Sequence, residues 1–356
     1  MVTPCGKGQV GRSAWPKGEL AKFVAACAIY LLFAFYLYEP HFRRLDDLRN
    51  IVVANLAFAA IGCYVITRRW VWSFTGSFFA GALYGFGPYT LGLIRYHPAA
   101  GVLVAAVPWL FAPAVFGLAR RRTWLKIPLA ALPFLVIVLL FQITCKWRLF
   151  AVPNQIRLGV DDLLGLLAPL VAIGHVRTGG GPGMLVGFYH VPLAALVVGL
   201  SMLLAARRIG IITVALIAIA LSTCRVFLEV SPVIWLSIAV LCCSGLVGAG
   251  VQGLLLAGRS DRGLLIFTTI IMALLAIVTL SLATKYFQTF LGLAWGPARH
   301  FTQAGEMFAL GAAAVGLIFV MARLQLRAVP IRLIVLCMAL GLDVFFGARF
   351  IIDALL

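Results

Sequence analysis

Charged residues are scarce in this sequence, and acidic residues are the scarcest of all. Only 11% of the 356 residues are charged, 11 are Asp or Glu, and 63% are hydrophobic. Soluble domains are about 25% charged and about 45–50% apolar. This composition excludes a water-soluble globule, because a surface this apolar needs lipid as its solvent.

Segments of about ten residues that alternate between polar and apolar are also lacking, which argues against an outer-membrane barrel. The apolar runs suit helices, because a bilayer core of about 30 Å takes about 20 helical residues to cross. Backbone groups in lipid must also pair within their own segment. We therefore predict an all-α, polytopic transmembrane helical bundle with about 10–11 spans. The spans are placed at 21–38, 51–67, 71–93, 100–118, 127–145, 185–206, 209–223, 231–256, 264–284, 305–322 and 331–353.

Cysteine pairs with metal-ligand spacing are missing. The eight cysteines include no Cys-x-x-Cys motif, and most of them lie within apolar runs. Free cysteines in such places behave as small hydrophobic residues. We therefore predict neither a disulfide framework nor a metal site.

Basic residues outnumber acidic ones, with 29 Lys and Arg and a net charge of +18. They are scattered in twos and threes between the apolar runs, which is typical of topological anchors and not of a nucleic-acid-binding surface. With a cytoplasmic N-terminus, the cytoplasmic segments hold the larger share of them, so we predict that orientation. The expected partner is the lipid bilayer, and no nucleic acid is expected.

The predicted spans divide the chain into four parts. Residues 1–20 form a cytoplasmic segment, and 21–145 hold about five spans. Residues 146–184 form an external loop with an interfacial helix, since Val160–Leu170 is apolar but too short to cross the bilayer. Residues 185–356 hold about six spans. The first apolar run lacks an A-x-A-like cleavage site, so we expect it to stay as a transmembrane helix.

The most specific pattern lies in and just after the second and third predicted spans. It reads Asn55-Leu, Gly62-Cys-Tyr64, Thr67-Arg-Arg69, Thr75-Gly-Ser77, Tyr84-Gly-Phe-Gly-Pro88-Tyr89 and His97-Pro98. This order resembles the second and third membrane helices of bacterial integral-membrane glycosyltransferases with the GT-C fold, and of the YfhO-like membrane proteins in particular. Two later stretches, Asp161–Leu193 and Gly296–Phe301, resemble later parts of the same family in the same order.

The resemblance implies a GT-C-like fold in the bacterial cytoplasmic (inner) membrane and a lipid-linked sugar as substrate. Members of this family place a catalytic carboxylate on a long first external loop, and a large soluble domain follows their last span. Here the first external loop is only Glu39–Asn50, and the given sequence ends at Leu356 without such a domain.

Two functions follow from this comparison. The chain is either a structural or accessory subunit of a larger membrane complex without catalysis of its own, or an active glycosyltransferase. The transferase would move a sugar from a polyprenyl-phosphate carrier to an extracytoplasmic acceptor. The shortened first loop favours the accessory subunit, whose partners would be other membrane subunits. A transporter ranks third, because the sequence shows no convincing inverted repeat or broken-helix pair.

A transferase needs a base near the acceptor and positive charge near the departing phosphate. The resemblance puts Asp46 or Asp47 at the position of the base. Arginine suits the phosphate because its planar guanidinium forms paired hydrogen bonds. No cofactor is implied beyond the polyprenyl-phosphate sugar donor. The candidate phosphate- and lipid-binding residues lie on the same predicted side of the membrane and are Arg95, His97, Arg299 and His300.

The two aspartates also have a structural alternative. Asp46 and Asp47 lie within one or two helical turns of Arg43, Arg44 and Arg49, a spacing at which ion pairs form easily. In that case their charges are neutralised locally, and they take no part in catalysis.

Asp343 lies in the middle of the last predicted span. An ionised group at this depth costs about 2.5–3.5 kcal/mol on insertion scales. We therefore expect Asp343 to face the protein interior, another subunit or water. A structural hydrogen bond and a functional role are both open for it.

Overall fold

The computed structural model of the protein describes the greater part of the chain. The described residues are 17–45, 49–96, 98–117, 126–146, 209–223, 228, 230, 232–257, 261–284, 298–324 and 329–355.

The regular elements in these ranges are helical, which confirms the prediction of an all-α fold. A 3₁₀ turn, Glu39–His41, joins α1 to α2, and a π-helical turn, Pro113–Gly117, extends α6. The helices are α1 (Lys17–Tyr38), α2 (Phe42–Leu45), α3 (Arg49–Thr67), α4 (Phe74–Phe86), α5 (Pro88–Tyr96), α6 (Pro98–Ala112), α7 (Lys126–Lys146), α8 (Ile209–Thr223), α9 (Pro232–Leu256), α10 (Arg262–Leu282), α11 (Ala298–Arg323) and α12 (Val329–Leu355).

Membrane-spanning helices dominate the fold. Within the described residues, six helices are long and apolar enough to cross a bilayer: α1, α3, α9, α10, α11 and α12. Three shorter apolar helices are α6, α7 and α8. The predicted spans fall on these helices, except that 185–206 lies outside the described residues and 71–93 differs. The multi-pass membrane architecture is thus confirmed.

The third predicted span, 71–93, is wrong as a single helix. The chain turns after α3, and Ser73 begins α4 by accepting a hydrogen bond at its Oγ from the Gly76 amide, 3.0 Å away. Such a side-chain cap satisfies one of the free amides of a helix start. At Gly87 the backbone is extended, with φ −71° and ψ 157°. The reason is Pro88, which disfavours the helical conformation in the residue before it and suits the first turn of the next helix.

Small residues allow α4 and α9 to approach closely. A Cβ atom added to Gly76 would lie 2.5 Å from the carbonyl oxygen of Gly248, and one added to Gly248 would lie 2.7 Å from the oxygen of Gly76. Only glycine fits at such a distance, which is how helices pack closely in lipid. The helix α9 lies in the centre of the bundle, and 89% of the residues in its most apolar 18-residue stretch are buried.

Contacts between distant segments define two ends of the bundle. At one end, Glu19 of α1 contacts Arg68, which follows α3. Gln252, near the end of α9, accepts hydrogen bonds from the turn before α4 at this same end. We call this the Glu19 end. At the other end, His41 after α1 contacts Asp353 near the end of α12. We call this the His41 end.

Candidate functional site

The described helices next to the predicted site residues end or begin on the His41 side of the bundle. Asp46, Asp47 and His97 themselves lie outside the described residues. They follow α2 and α5, two helices that end on this side of the bundle. Arg95 belongs to the last turn of α5, and α11 begins at this end with Arg299 and His300 in its first turn. The side chains of these three residues lie outside the described part, so their roles stay predictions.

A hydrogen-bonded cluster of His41, Arg349 and Asp353 joins two segments at the His41 end. His41 Nε2 lies 3.0 Å from Asp353 Oδ1, and Arg349 Nε donates to Asp353 Oδ2 at 3.3 Å. The cluster joins the 3₁₀ turn after α1 to the last helix. Arg349 is thus paired with Asp353, which lies four residues further along the same helix face. The contact between His41 and Asp353 links residues 312 positions apart, and no sequence spacing could have revealed it.

Asp343 faces the interior of the bundle, as expected from its position in the last span. Its residue is only 8% exposed. It lines a cavity of about 10 Å³ together with Gly87 and Pro88, at the break between α4 and α5. That volume holds about one water molecule. Asp343 also lies about 15 Å along α12 from Asp353, at 1.5 Å per residue, which places the carboxyl at mid-bilayer depth.

At the Glu19 end, the side chain of Arg68 connects α1 to the turn after α3. Its Nε and Nη2 donate to the Glu19 carboxylate at 3.0 and 2.7 Å. Its Nη1 donates to the backbone oxygens of Val71 and Trp72. A bidentate arginine–carboxylate pair of this kind is among the stronger hydrogen-bonded contacts. Arg68 therefore fixes the turn after α3 against α1.

The same turn is fixed against α9 by Gln252. Its Oε1 accepts hydrogen bonds from the backbone amides of Trp72 at 2.5 Å and Ser73 at 3.2 Å. Trp72 itself is 86% exposed, as is typical of tryptophans at the membrane–water interface. The Thr67-Arg-Arg69 motif of the sequence thus belongs to a rigid turn at the membrane surface.

A cavity of about 670 Å³ opens beside this turn, among α3, α6, α7, α8 and α9. This volume is within the range of about 300–1,000 Å³ that ligand pockets occupy. Polar groups are concentrated at its Glu19 end, where Thr67, Arg69 and Trp70 line it. The remaining walls are apolar or small and come from Ile66, Phe111, Ala114, Val115, Ala130, Gly210, Ile211, Val214, Leu241 and Cys242.

Comparison with known proteins finds no match. This holds for models of protein families, for curated proteins and for solved structures. The geometry of the described residues therefore carries the functional argument.

Metal-binding side chains are not clustered in the described part of the chain, which holds no group of three or more His, Cys, Asp or Glu suited to a metal ion. Its free cysteines are Cys27, Cys63, Cys242, Cys243 and Cys337. Of these, Cys242 lines the large cavity. A buried free cysteine behaves as a small hydrophobic residue, so Cys242 is part of the apolar wall.

Proposed function

We propose that this protein is a structural or accessory subunit of a larger membrane assembly, with a GT-C-like arrangement of helices and no catalysis of its own. The observation that carries the proposal is the use of polar side chains at the two ends of the bundle. Glu19–Arg68 and His41–Asp353 each join segments that are distant in the chain, so these side chains have structural contacts that hold the bundle together. A helical bundle with internal polar contacts and apolar outer faces suits a subunit that binds other membrane proteins.

The outer faces of the peripheral helices support this proposal. In the most apolar 18-residue stretch of α10, only 28% of the residues are buried within the protein. Phe267 and Ile277 on this helix are 54% and 61% exposed. Lipid or the helices of another subunit can cover such a face, since both are equally apolar.

The test is purification from the native membrane in a mild detergent, followed by cross-linking and mass spectrometry. We expect the protein to be cross-linked to at least one other membrane protein through residues of α10. A protein that runs alone under several mild conditions, with no intermolecular cross-link, contradicts the proposal.

The aspartates give a second test of the same proposal. Asp46→Asn combined with Asp47→Asn is expected to leave the assembly and its cellular activity intact, because the proposal gives these acids no catalytic step. Asp353→Asn is the matched control, since it removes an acid at the same end that has a defined structural contact with His41. Loss of a sugar-transfer product in the double variant alone, at normal protein level, would overturn the proposal.

An active glycosyltransferase is the second candidate, and one observation favours it. The segments that carry or flank the predicted base and the predicted phosphate-binding residues share the His41 end. In this case Asp46 or Asp47 would take a proton from the acceptor, and Arg95 and Arg299 would stabilise the departing phosphate. The double aspartate variant separates the two candidates, because it abolishes sugar transfer only if the protein is an enzyme.

A further inference from the structure

We propose that the large cavity at the Glu19 end binds one anionic phospholipid, with its phosphate at Arg69 and its acyl chains between α6, α8 and α9. This site is separate from the proposed function, because the candidate catalytic segments lie at the opposite end of the bundle. The proposal rests on Arg69, on the depth to which the cavity enters the bundle and on its apolar walls.

Arg68 and Arg69 are neighbours in the chain but have different surroundings. Arg68 donates hydrogen bonds to the carboxylate of Glu19 and to the backbone of the turn. The guanidinium of Arg69 is exposed, lines the cavity, and takes part in none of the hydrogen bonds or ion pairs found among the described residues. Arginine binds phosphate through paired, charge-assisted hydrogen bonds. Arg69 is therefore the arginine of the described cavity lining that can hold a phosphate group.

The cavity leads from the Glu19 end into the bundle. The ring of Trp70 lies 3.5 Å from a Cβ atom added to Gly245 of α9, and the cavity also reaches Leu241 and Cys242, about one helical turn further along α9. Both of these residues are buried. The cavity therefore joins an exposed guanidinium to a buried apolar wall, which suits the head group and the chains of a lipid.

The walls suit acyl chains. Phe111, Val115, Val214 and Leu241 present apolar side chains to the cavity. Trp70 lies at the polar end, where aromatic residues meet the head-group region of a membrane. A water-soluble ligand would leave these walls without apolar contacts, whereas hydrocarbon chains fill them.

The charge of Arg69 favours an anionic head group. Among the described residues, the cavity lining contains this one cation and no acidic residue. Basic sites between membrane helices bind anionic head groups. Arg69 thus favours a phosphatidylglycerol-like lipid over a zwitterionic one.

The proposal is tested by native mass spectrometry of the full-length protein, reconstituted with an equal mixture of phosphatidylglycerol and phosphatidylcholine. We expect one phosphatidylglycerol to remain bound at high collision energy. Arg69→Gln is expected to reduce the retained phosphatidylglycerol by about tenfold, since hydrogen bonds to charged groups contribute about 1.5–3 kcal/mol. Arg323→Gln is the matched control, because Arg323 is exposed at the same end and lies outside the cavity lining.

A second variant fills the cavity without disturbing the backbone. A Cβ atom at Gly210 meets nothing within 4 Å, and Gly210 lines the cavity, so we expect the ring of Gly210→Phe to occupy the opening. We expect it to exclude the lipid at an unchanged melting temperature. Gly263→Phe is its control, because Gly263 is equally open but belongs to α10. Equal retention of both lipids by the native protein, or unchanged retention in both Arg69→Gln and Gly210→Phe, overturns the proposal.

Discussion

At the scale of single residues, position decides what each charged group does. Arg68 and Arg69 have the same chemistry and adjacent places in the chain. Arg68 is only 12% exposed in its side chain and pairs with Glu19, whereas Arg69 is exposed and lines a cavity. The difference arises because the chain turns directly after α3, so that successive side chains point toward different neighbours.

We expect Arg68→Gln to lower the free energy of unfolding by about 2 kcal/mol, because it leaves a partly buried carboxylate without its bidentate partner. Thermal unfolding of the detergent-solubilised protein measures the effect as a lower melting temperature. Arg69→Gln is the control, and its effect is expected to stay within about 0.5 kcal/mol, as for other surface substitutions. Equal melting temperatures for the two variants would contradict the structural role given to Arg68.

At the scale of helices, close packing depends on residues without side chains. Between α4 and α9 the backbones approach so closely that Gly76 and Gly248 face each other's carbonyl oxygens. Tyr30 of α1 adds a polar link by donating its hydroxyl hydrogen to the Phe78 carbonyl at 2.6 Å. These contacts make α1, α4 and α9 a single packed unit.

Gly248→Ala is expected to destabilise this unit by about 1–3 kcal/mol, the usual cost of adding a methyl group where no space exists. The added Cβ would lie 2.7 Å from the oxygen of Gly76, so both helices have to move apart. Gly263→Ala is the matched control, because nothing lies within 4 Å of its added Cβ. The measurement is again the melting temperature in detergent, and equal values for both variants would show that α4 and α9 are not in close contact.

At the scale of the whole molecule, every described spanning helix runs between the same two ends. The turn with Trp72 marks the Glu19 end, and α2 with the exposed Arg43 marks the His41 end. With the cytoplasmic N-terminus that the sequence predicts, the Glu19 end is expected to face the cytoplasm.

Single cysteines in a cysteine-free background test this orientation. We expect Trp72→Cys to react with a membrane-impermeant maleimide only after the membrane is permeabilised, because the Glu19 end is expected to face the cytoplasm. The position should then react readily, since Trp72 is 86% exposed. Arg43→Cys is expected to react in intact cells. The reverse labelling pattern would contradict the orientation, and labelling of both positions from one side would contradict the two-ended bundle.

The candidate site was accessible to sequence reasoning only in part. The alternation of spans predicts that the ends of α2 and α5 and the start of α11 share one side, because each crossing reverses the direction of the chain. The sequence does not reveal which side chains form hydrogen bonds with each other. Glu19 and Arg68 lie 49 positions apart, and no periodicity connects them. The large cavity is likewise formed by five helices whose wall residues share no motif.

The sequence by itself determined that the chain dissolves in lipid, that it is helical, and where nearly all of its apolar helices lie, with 209–223 matching α8 at both ends. Hydropathy determines these properties because the transfer of each segment into lipid depends on its own residues. The tertiary structure alone decided that Asp343 faces the break between α4 and α5 and that Arg69 lines a cavity. These features depend on which helices meet, and inside a bilayer that is determined by close packing and hydrogen bonds between helices, since lipid is as apolar as the side chains.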